Sequence, residues 1–205
     1  MKSMRILVAT NSPSKLTRVR HLLSGTGVEC VSPADLGIEA IEVEEGSDLH
    51  ENAERKARAY LGKTELPILG MDSAFVIPGE DLDPAKVKRN ALGSREESAM
   101  TQEEIAQAMV GFYRGIVSRH GGNVPAYWED VFAMVLPDGG VKREQDRRPV
   151  ILTAEIVGKL DPHMPLRSMY IVESTGKYVA DHTPDEEFLE MKPFQDALQR
   201  LLGIS

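Results

Sequence analysis

The sequence predicts an α/β fold with two lobes on one extended sheet, and three features predict it. The N-terminal region reads strand, helix, strand. From Ala126 the patterning turns β-rich. No low-complexity or flexible linker separates the two halves, which together make 205 residues, the size of one generous domain or two joined lobes.

Arg5–Thr10 (RILVAT) is apolar without alternation, the pattern of a strand buried on both faces. A polar loop, Asn11–Ser14, leads into a helix whose buried stripe is Leu16, Val19, Leu22 and Leu23, stopped at Gly25. Val28–Val31 is a second strand. Six acidic residues then crowd Ile41–Arg55, where Asp48 followed by Glu51 fits a capping box. The helix it opens carries Leu49, Ala53, Ala57 and Tyr60 as its core face. Leu66–Val76 reads as one or two buried strand pieces broken at Gly70. Pro78–Met100 is irregular, with one short helix. Thr101–Glu104 is another capping box, opening a helix with Ile105, Ala108, Met109, Phe112 and Ile116 on one face. Trp128–Leu136 and Pro149–Gly158 are strands, Pro137–Gly140 the turn after the first, and Ser168–Val172 a further strand. Thr183–Glu186 opens the last helix, which Pro193 is expected to split or kink.

Composition excludes several functions. The formal net charge of −8 repels polyanions, so neither nucleic acid nor an anionic membrane is expected as partner; a small phosphate ligand remains compatible. The single cysteine, Cys30, rules out an internal disulfide framework and a multi-thiolate zinc site, and suits a reducing compartment. The start Met1–Arg5 followed by the short apolar stretch Ile6–Ala9 resembles neither a signal peptide nor a membrane span, so a soluble cytoplasmic protein is expected.

Four groups of residues point to chemistry. The strand-to-helix turn Thr10–Lys15 combines free N–H groups and a helix dipole with the Thr10 and Ser12 hydroxyls, the Asn11 amide and the Lys15 charge, a setting for an anion. Its plain alternative is a capped helix start. Glu44, Glu45 and Glu51 offer hard oxygen donors for a divalent cation, or else a solvated face with Glu51 and Arg55 paired. Asn52 and Lys56 lie one turn apart and can share a ligand. Asp72, followed by Ser73, sits in an apolar run where a bare carboxylate is costly, so it is paired, metal-bound or a cap. Lys86, Lys88 and Arg89 form a basic segment able to close over phosphates or simply to stay solvated. The five histidines have no metal spacing and read as surface or capping residues, and no nucleophile motif is present.

Taken in order, Ile6–Lys15 (ILVATNSPSK), Glu44-Glu45-Gly46, Glu51–Ala57 (ENAERKA) and Leu69–Ser73 (LGMDS) resemble the inosine triphosphate pyrophosphatase (Ham1-like) family. That family's pattern is a T-G-N-x-x-K loop, an acidic patch, E-N-A-x-x-K-A and D-D-S-G. The resemblance implies an elongated, mixed, twisted sheet flanked by helices, with two lobes (residues 1–77 plus 160–205, and 78–159 with a lid) and a nucleotide cleft between them. It implies a homodimer and a Mg²⁺-dependent pyrophosphohydrolase that converts a nucleoside triphosphate to monophosphate and pyrophosphate, clearing ITP, XTP and dITP. Asp72 and Lys15 are then catalytic. Thr10, Asn11, Ser12, Lys15, Asn52, Lys56, Ser73 and Arg89 hold substrate, and Asp72 with Glu45, Glu44 and Glu51 places the metal. The sequence departs from the pattern at Asn11 and Ser12, and at Met71, which replaces the first Asp of D-D-S-G. Phe188–Phe194 carries neither the family's aromatic-Asp-Pro segment nor its Ser-His-Arg-Gly motif. Two rival functions follow: a nucleotide-binding or sensing protein with impaired catalysis, and a hydrolase of another phosphorylated small molecule.

Overall fold

The apolar run after Arg5 forms the strand around which the first third of the chain is organised. The structure, a computed structural model, describes residues 4–204; Met1–Ser3, used in the leader argument, lie outside them. In chain order the elements are β1 (Met4–Val8), α1 (Pro13–Leu22), β2 (Val28–Val31), α2 (Leu49–Arg58), β3 (Ile68–Val76), α3 (Val87–Leu92), α4 (Gln102–Arg119), β4 (Asn123–Val135), β5 (Val141–Thr153), β6 (Tyr170–Val172), β7 (Lys177–Tyr178) and α5 (Pro184–Leu202). The strands form one sheet in the order β2-β1-β3-β4-β5-β6-β7. β1 is parallel to β2 and β3, whereas β6 is antiparallel to β5 and β7. The predicted mixed α/β sheet is what the chain forms.

β1 explains where a ligand belongs. Ile6 and Leu7 pair with Cys30 and Val31 on one side, and Leu7 and Val8 with Ile68 and Leu69 on the other. All three of Ile6, Leu7 and Val8 are wholly buried, which is why the run shows no alternation. The chain leaves β1 toward β2 through α1, then returns through α2 to β3 on the opposite side. That reversal leaves an opening beyond the carboxyl end of β1, the position where open α/β sheets bind ligands.

The chain divides into two compact units. The first holds the described residues up to Ala74, Glu129–Asp146 and the residues from Pro193 on; the second holds Phe75–Trp128 and Arg147–Lys192. In the first, Leu7, Ala57, Tyr60, Ile68 and Val135 form a shared core, and Phe132 meets Phe194 edge to face at 4.7 Å. In the second, Phe75 meets Tyr113 edge to face at 5.7 Å and stacks on Tyr170 at 6.2 Å. There Arg148 donates to Glu190 at 3.4 Å, both nearly fully buried.

Several elements differ from expectation. β3 runs unbroken through Gly70, because that glycine marks a close approach: a Cβ there would lie 2.0 Å from the Ala53 carbonyl oxygen of α2. β4 starts earlier than predicted, at Asn123, and β5 is displaced: it starts at Val141, because the charged stretch Val141–Arg148 is held in the ladder beside β4 despite its polar sequence, and it ends at Thr153 instead of Gly158. The turn between them is the predicted one, with Leu136 N–H donating to Gly140 O at 2.8 Å. The α4 capping box forms as predicted and Ile105 and Ile116 are buried as predicted, but Val110, Tyr113 and Val117 complete the buried stripe, with Met109 and Phe112 at its rim. At α2, Asp48 caps the N–H groups of His50 and Glu51, but the Glu51 side chain turns to Arg55 instead of closing the box. α5 continues through Pro193, where burial of Phe194, Ala197, Leu198 and Leu201 outweighs the proline's cost of about 3 kcal/mol. His182 is no surface residue: its side chain is 0% exposed, with Nε2 bonded to Thr175 Oγ1 at 2.8 Å.

Candidate functional site

The β1–α1 turn forms the first wall of the site. Ser12 is the N-cap of α1, its Oγ accepting from Lys15 N–H at 3.4 Å, and Pro13 starts the helix without needing a donor. Thr10 Oγ1 accepts from Ser12 N–H at 3.1 Å, fixing the turn. With the Ser12 and Lys15 N–H groups engaged and Pro13 lacking one, the positive end of the α1 dipole and the Lys15 ammonium are what suit an anion.

Asn52 builds the second wall. Buried on α2, it exchanges hydrogen bonds of 2.8 Å with both the N–H and the carbonyl of Gly46, as a peptide would. Its Nδ2 also donates to Asp72 Oδ2 at 3.0 Å. One side chain thus fixes the Glu44–Gly46 loop and the β3 carboxylate together. Arg55 pins the same loop through the Glu44 carbonyl at 2.7 Å, and Tyr60 Oη accepts from Ile41 N–H at 2.9 Å.

Lys56 joins the two walls. Its Nζ lies 2.7 Å from Glu45 Oε1 and 2.9 Å from Asp72 Oδ1. Asp72 is only 6% exposed, so this cation and the Asn52 amide are what its burial requires. Burial pushes the Lys56 ammonium down, but its hydrogen bonds to Glu45 and Asp72 outweigh this and raise its pKa. Lys15 is lowered, first by burial and then by the charge of Lys56, against the opposing pull of Asp72, Glu45 and Asp130. A cavity of about 330 Å³ opens among Thr10, Asn11, Ser12, Lys15, Glu45, Lys56 and Met71.

The structure therefore brings together Thr10, Asn11, Ser12, Lys15, Glu45 and Lys56 as cavity wall, with Asp72 bonded directly behind Lys56. Asn52 holds the wall without lining the cavity. Glu44 and Glu51 are exposed outside it, Glu51 within 3.6 Å of Arg55. Ser73 donates to Asp130 Oδ1 at 2.5 Å. Arg89 lies on α3 in the second unit, where it bonds the Arg95 carbonyl at 3.3 Å. Sequence reading missed Asp130 and the Tyr60 hydroxyl. The signal for Asp130 was an acidic pair, Glu129-Asp130, abutting the apolar run Val131–Val135, and Tyr60 is found only through its fold partner. Burial pushes the Cys30 thiol up to about 11, so it is no thiolate at neutral pH.

Fold and site define the class: an α/β protein with a cation-lined polar cavity at the switch point of a mixed sheet. The sequence model of the Ham1 family matches residues 6–144. The chain belongs to the Ham1 family. A dITP/XTP pyrophosphatase of Thermoanaerobacter sp. (strain X514) is 26% identical over 204 residues, covering 97% of this chain and 94% of the relative. That of Rhodopseudomonas palustris is 25% identical over 147 residues, 70% of this chain and 66% of its own. Four further curated relatives are matched over about half their length, 48% for that of Bradyrhizobium diazoefficiens. The HAM1 protein from Coxiella burnetii shares the fold, with a TM-score of 0.73, 21% identity and 98% of each chain covered. Among the described residues no helix is long and apolar enough to cross a membrane.

Proposed function

We propose that this chain is a Mg²⁺-dependent nucleoside triphosphate pyrophosphohydrolase that clears non-standard purine nucleotides such as ITP, XTP and dITP. The observation that carries the reading is the convergence of Lys15, Lys56, Glu45 and Asp72 at the carboxyl end of β1, on or directly behind the wall of a single cavity. The names of the relatives support the reaction class. The net charge of −8 favours a small-molecule substrate over nucleic acid or a membrane surface. A homodimeric, cytoplasmic protein completes the reading, and sedimentation tests the first part.

The residues fit a hard divalent cation. The Lys56 ammonium already bridges Glu45 and Asp72, so the two carboxylates are spaced for one cation between them. Among the described residues no cluster of three or more acidic, histidine or cysteine side chains forms. Two carboxylates, with water and phosphate oxygens for the rest of the shell, is the set Mg²⁺ takes beside phosphates. Glu45 and Asp72 would hold it, and it supplies charge neutralisation on the phosphates.

The chain's own residues do the rest. The positive end of α1, Thr10, Ser12 and Lys15 bind and orient the triphosphate. Lys56, released from one carboxylate, offers a second cation to the same oxygens. Asp72, held by Asn52 and Lys56, orients the attacking water and takes its proton as the new bond to the α-phosphorus forms and pyrophosphate leaves. Asp72→Asn lowers kcat by about 10²–10⁴-fold on this reading.

Pyrophosphate release from a panel of triphosphates with Mg²⁺ is the test. Turnover led by inosine or xanthosine nucleotides supports the reading; tight binding without turnover of any triphosphate establishes instead the impaired, sensing protein that Met71 in the D-D-S-G position favours.

A further inference from the structure

Asp130 is wholly buried, 0% exposed, at the point where β4 becomes a continuous apolar run. A carboxylate there is costly unless hydrogen bonds or nearby cations compensate. Ser73 Oγ donates to it at 2.5 Å. Strand alternation places Gly70 and Asp72 on the face of β3 that meets α2, and Met71 and Ser73 on the other. Asp130 therefore approaches from the neighbouring strand on the Met71 face. This is the face where the sequence lacks one of the two adjacent carboxylates of its motif. The charge of Asp130 acts on Lys15 in the same direction as those of Asp72 and Glu45, and less strongly than either.

We propose that Asp130 is a positioning residue of this pocket, supplying from β4 the second carboxylate absent at Met71. By accepting from Ser73 Oγ, the residue directly after Asp72, it fixes the β3 segment that aims the Asp72 carboxylate. Its charge adds to that of Asp72 in the field that holds a cation at Glu45 and Asp72. The inference rests on the pyrophosphohydrolase reading for its role in turnover, but not for its effect on cation affinity.

Asp130→Asn keeps the shape and an acceptor while removing the charge. It lowers kcat by about 10–100-fold with KM shifted by less than about threefold. Mn²⁺ affinity of the nucleotide-free protein, measured by electron paramagnetic resonance, falls about tenfold. Adding Met71→Asp recovers at least about tenfold of the lost kcat, and the Mn²⁺ affinity with it, a rescue no purely structural role predicts. Wild-type kcat and Mn²⁺ affinity in the single variant overturn the proposal. So does a loss that Met71→Asp fails to recover in a variant melting with the wild type. Where Asp130→Asn does not fold, Ser73→Ala takes its place: a matching loss of kcat supports the proposal and wild-type kcat overturns it. If the wild-type protein turns over no triphosphate, the functional reading fails, and the Mn²⁺ affinities alone decide on Asp130.

Discussion

Two lysines in one cavity have opposite environments. Lys56 is paired with Glu45 and Asp72, so its raised pKa contributes stability that is present below the ordinary lysine value of 10.5 and lost as pH rises through the higher folded value. Lys15 is lowered, chiefly by burial, and the sign reverses. Below its folded pKa the ammonium is a standing cost, and stability grows with pH between that value and 10.5, where the unfolded chain holds more protons. Lys15→Met is thus expected to raise the Tm of the nucleotide-free protein at neutral pH while weakening inorganic triphosphate binding by at least about tenfold. Scanning calorimetry and titration calorimetry read the two effects; an unchanged Tm with retained binding refutes the assignment. At this scale Asp72 was legible, because a carboxylate in an apolar run demands a partner. Asn52 was seen as a ligand contact, whereas its three hydrogen bonds go to Gly46 and Asp72. A sequence shows the polar group but not which neighbour satisfies it.

At the scale of elements, α2 lies so close to β3 that no side chain fits at residue 70. Gly70→Ala is expected to cost about 3 kcal/mol or more, because the obstacle is the Ala53 carbonyl and the Ala57 amide rather than a mobile side chain. Urea denaturation measures the loss, and displacement of α2 carries Asn52 and Lys56 away from Asp72, so triphosphate binding falls too. Read from sequence, that glycine suggested a break; only the packing partner reveals a close approach. Caps and turns were legible because their signals are local, as at Thr101 and Leu136–Gly140. β5 was not, because pairing with β4 overrides a charged sequence. In the second unit, Glu190 accepts from Arg148 and from Tyr170 Oη, each at 3.4 Å, and burial pushes the Tyr170 phenol up to about 12, keeping it a donor. Glu190→Ala is expected to destabilise by about 3 kcal/mol, since two buried donors lose this acceptor. Thermal melting tests it.

At the scale of the whole molecule, the unit bearing the cavity is assembled from three separate stretches of chain. Phe194 packs on Phe132, Gln195 Nε2 donates to the Leu22 carbonyl at 2.8 Å, and Arg200 pairs with Glu144 at 3.1 Å. Phe194→Ala is expected to cost about 3–5 kcal/mol. Amide exchange checks its reach: protection of β1 should fall together with that of residues 194–202, and loss confined to the helix argues against one cooperative unit. The division also orders events on the ribosome. The cavity-lining residues all emerge within the first 71 positions, long before Phe132 and Phe194 are made. Until β4 arrives, the edge of β3 that it later covers is open to pairing with other strands. The nascent chain therefore carries a complete set of cavity side chains on an unfinished sheet, and its hazard during synthesis is aggregation through that edge.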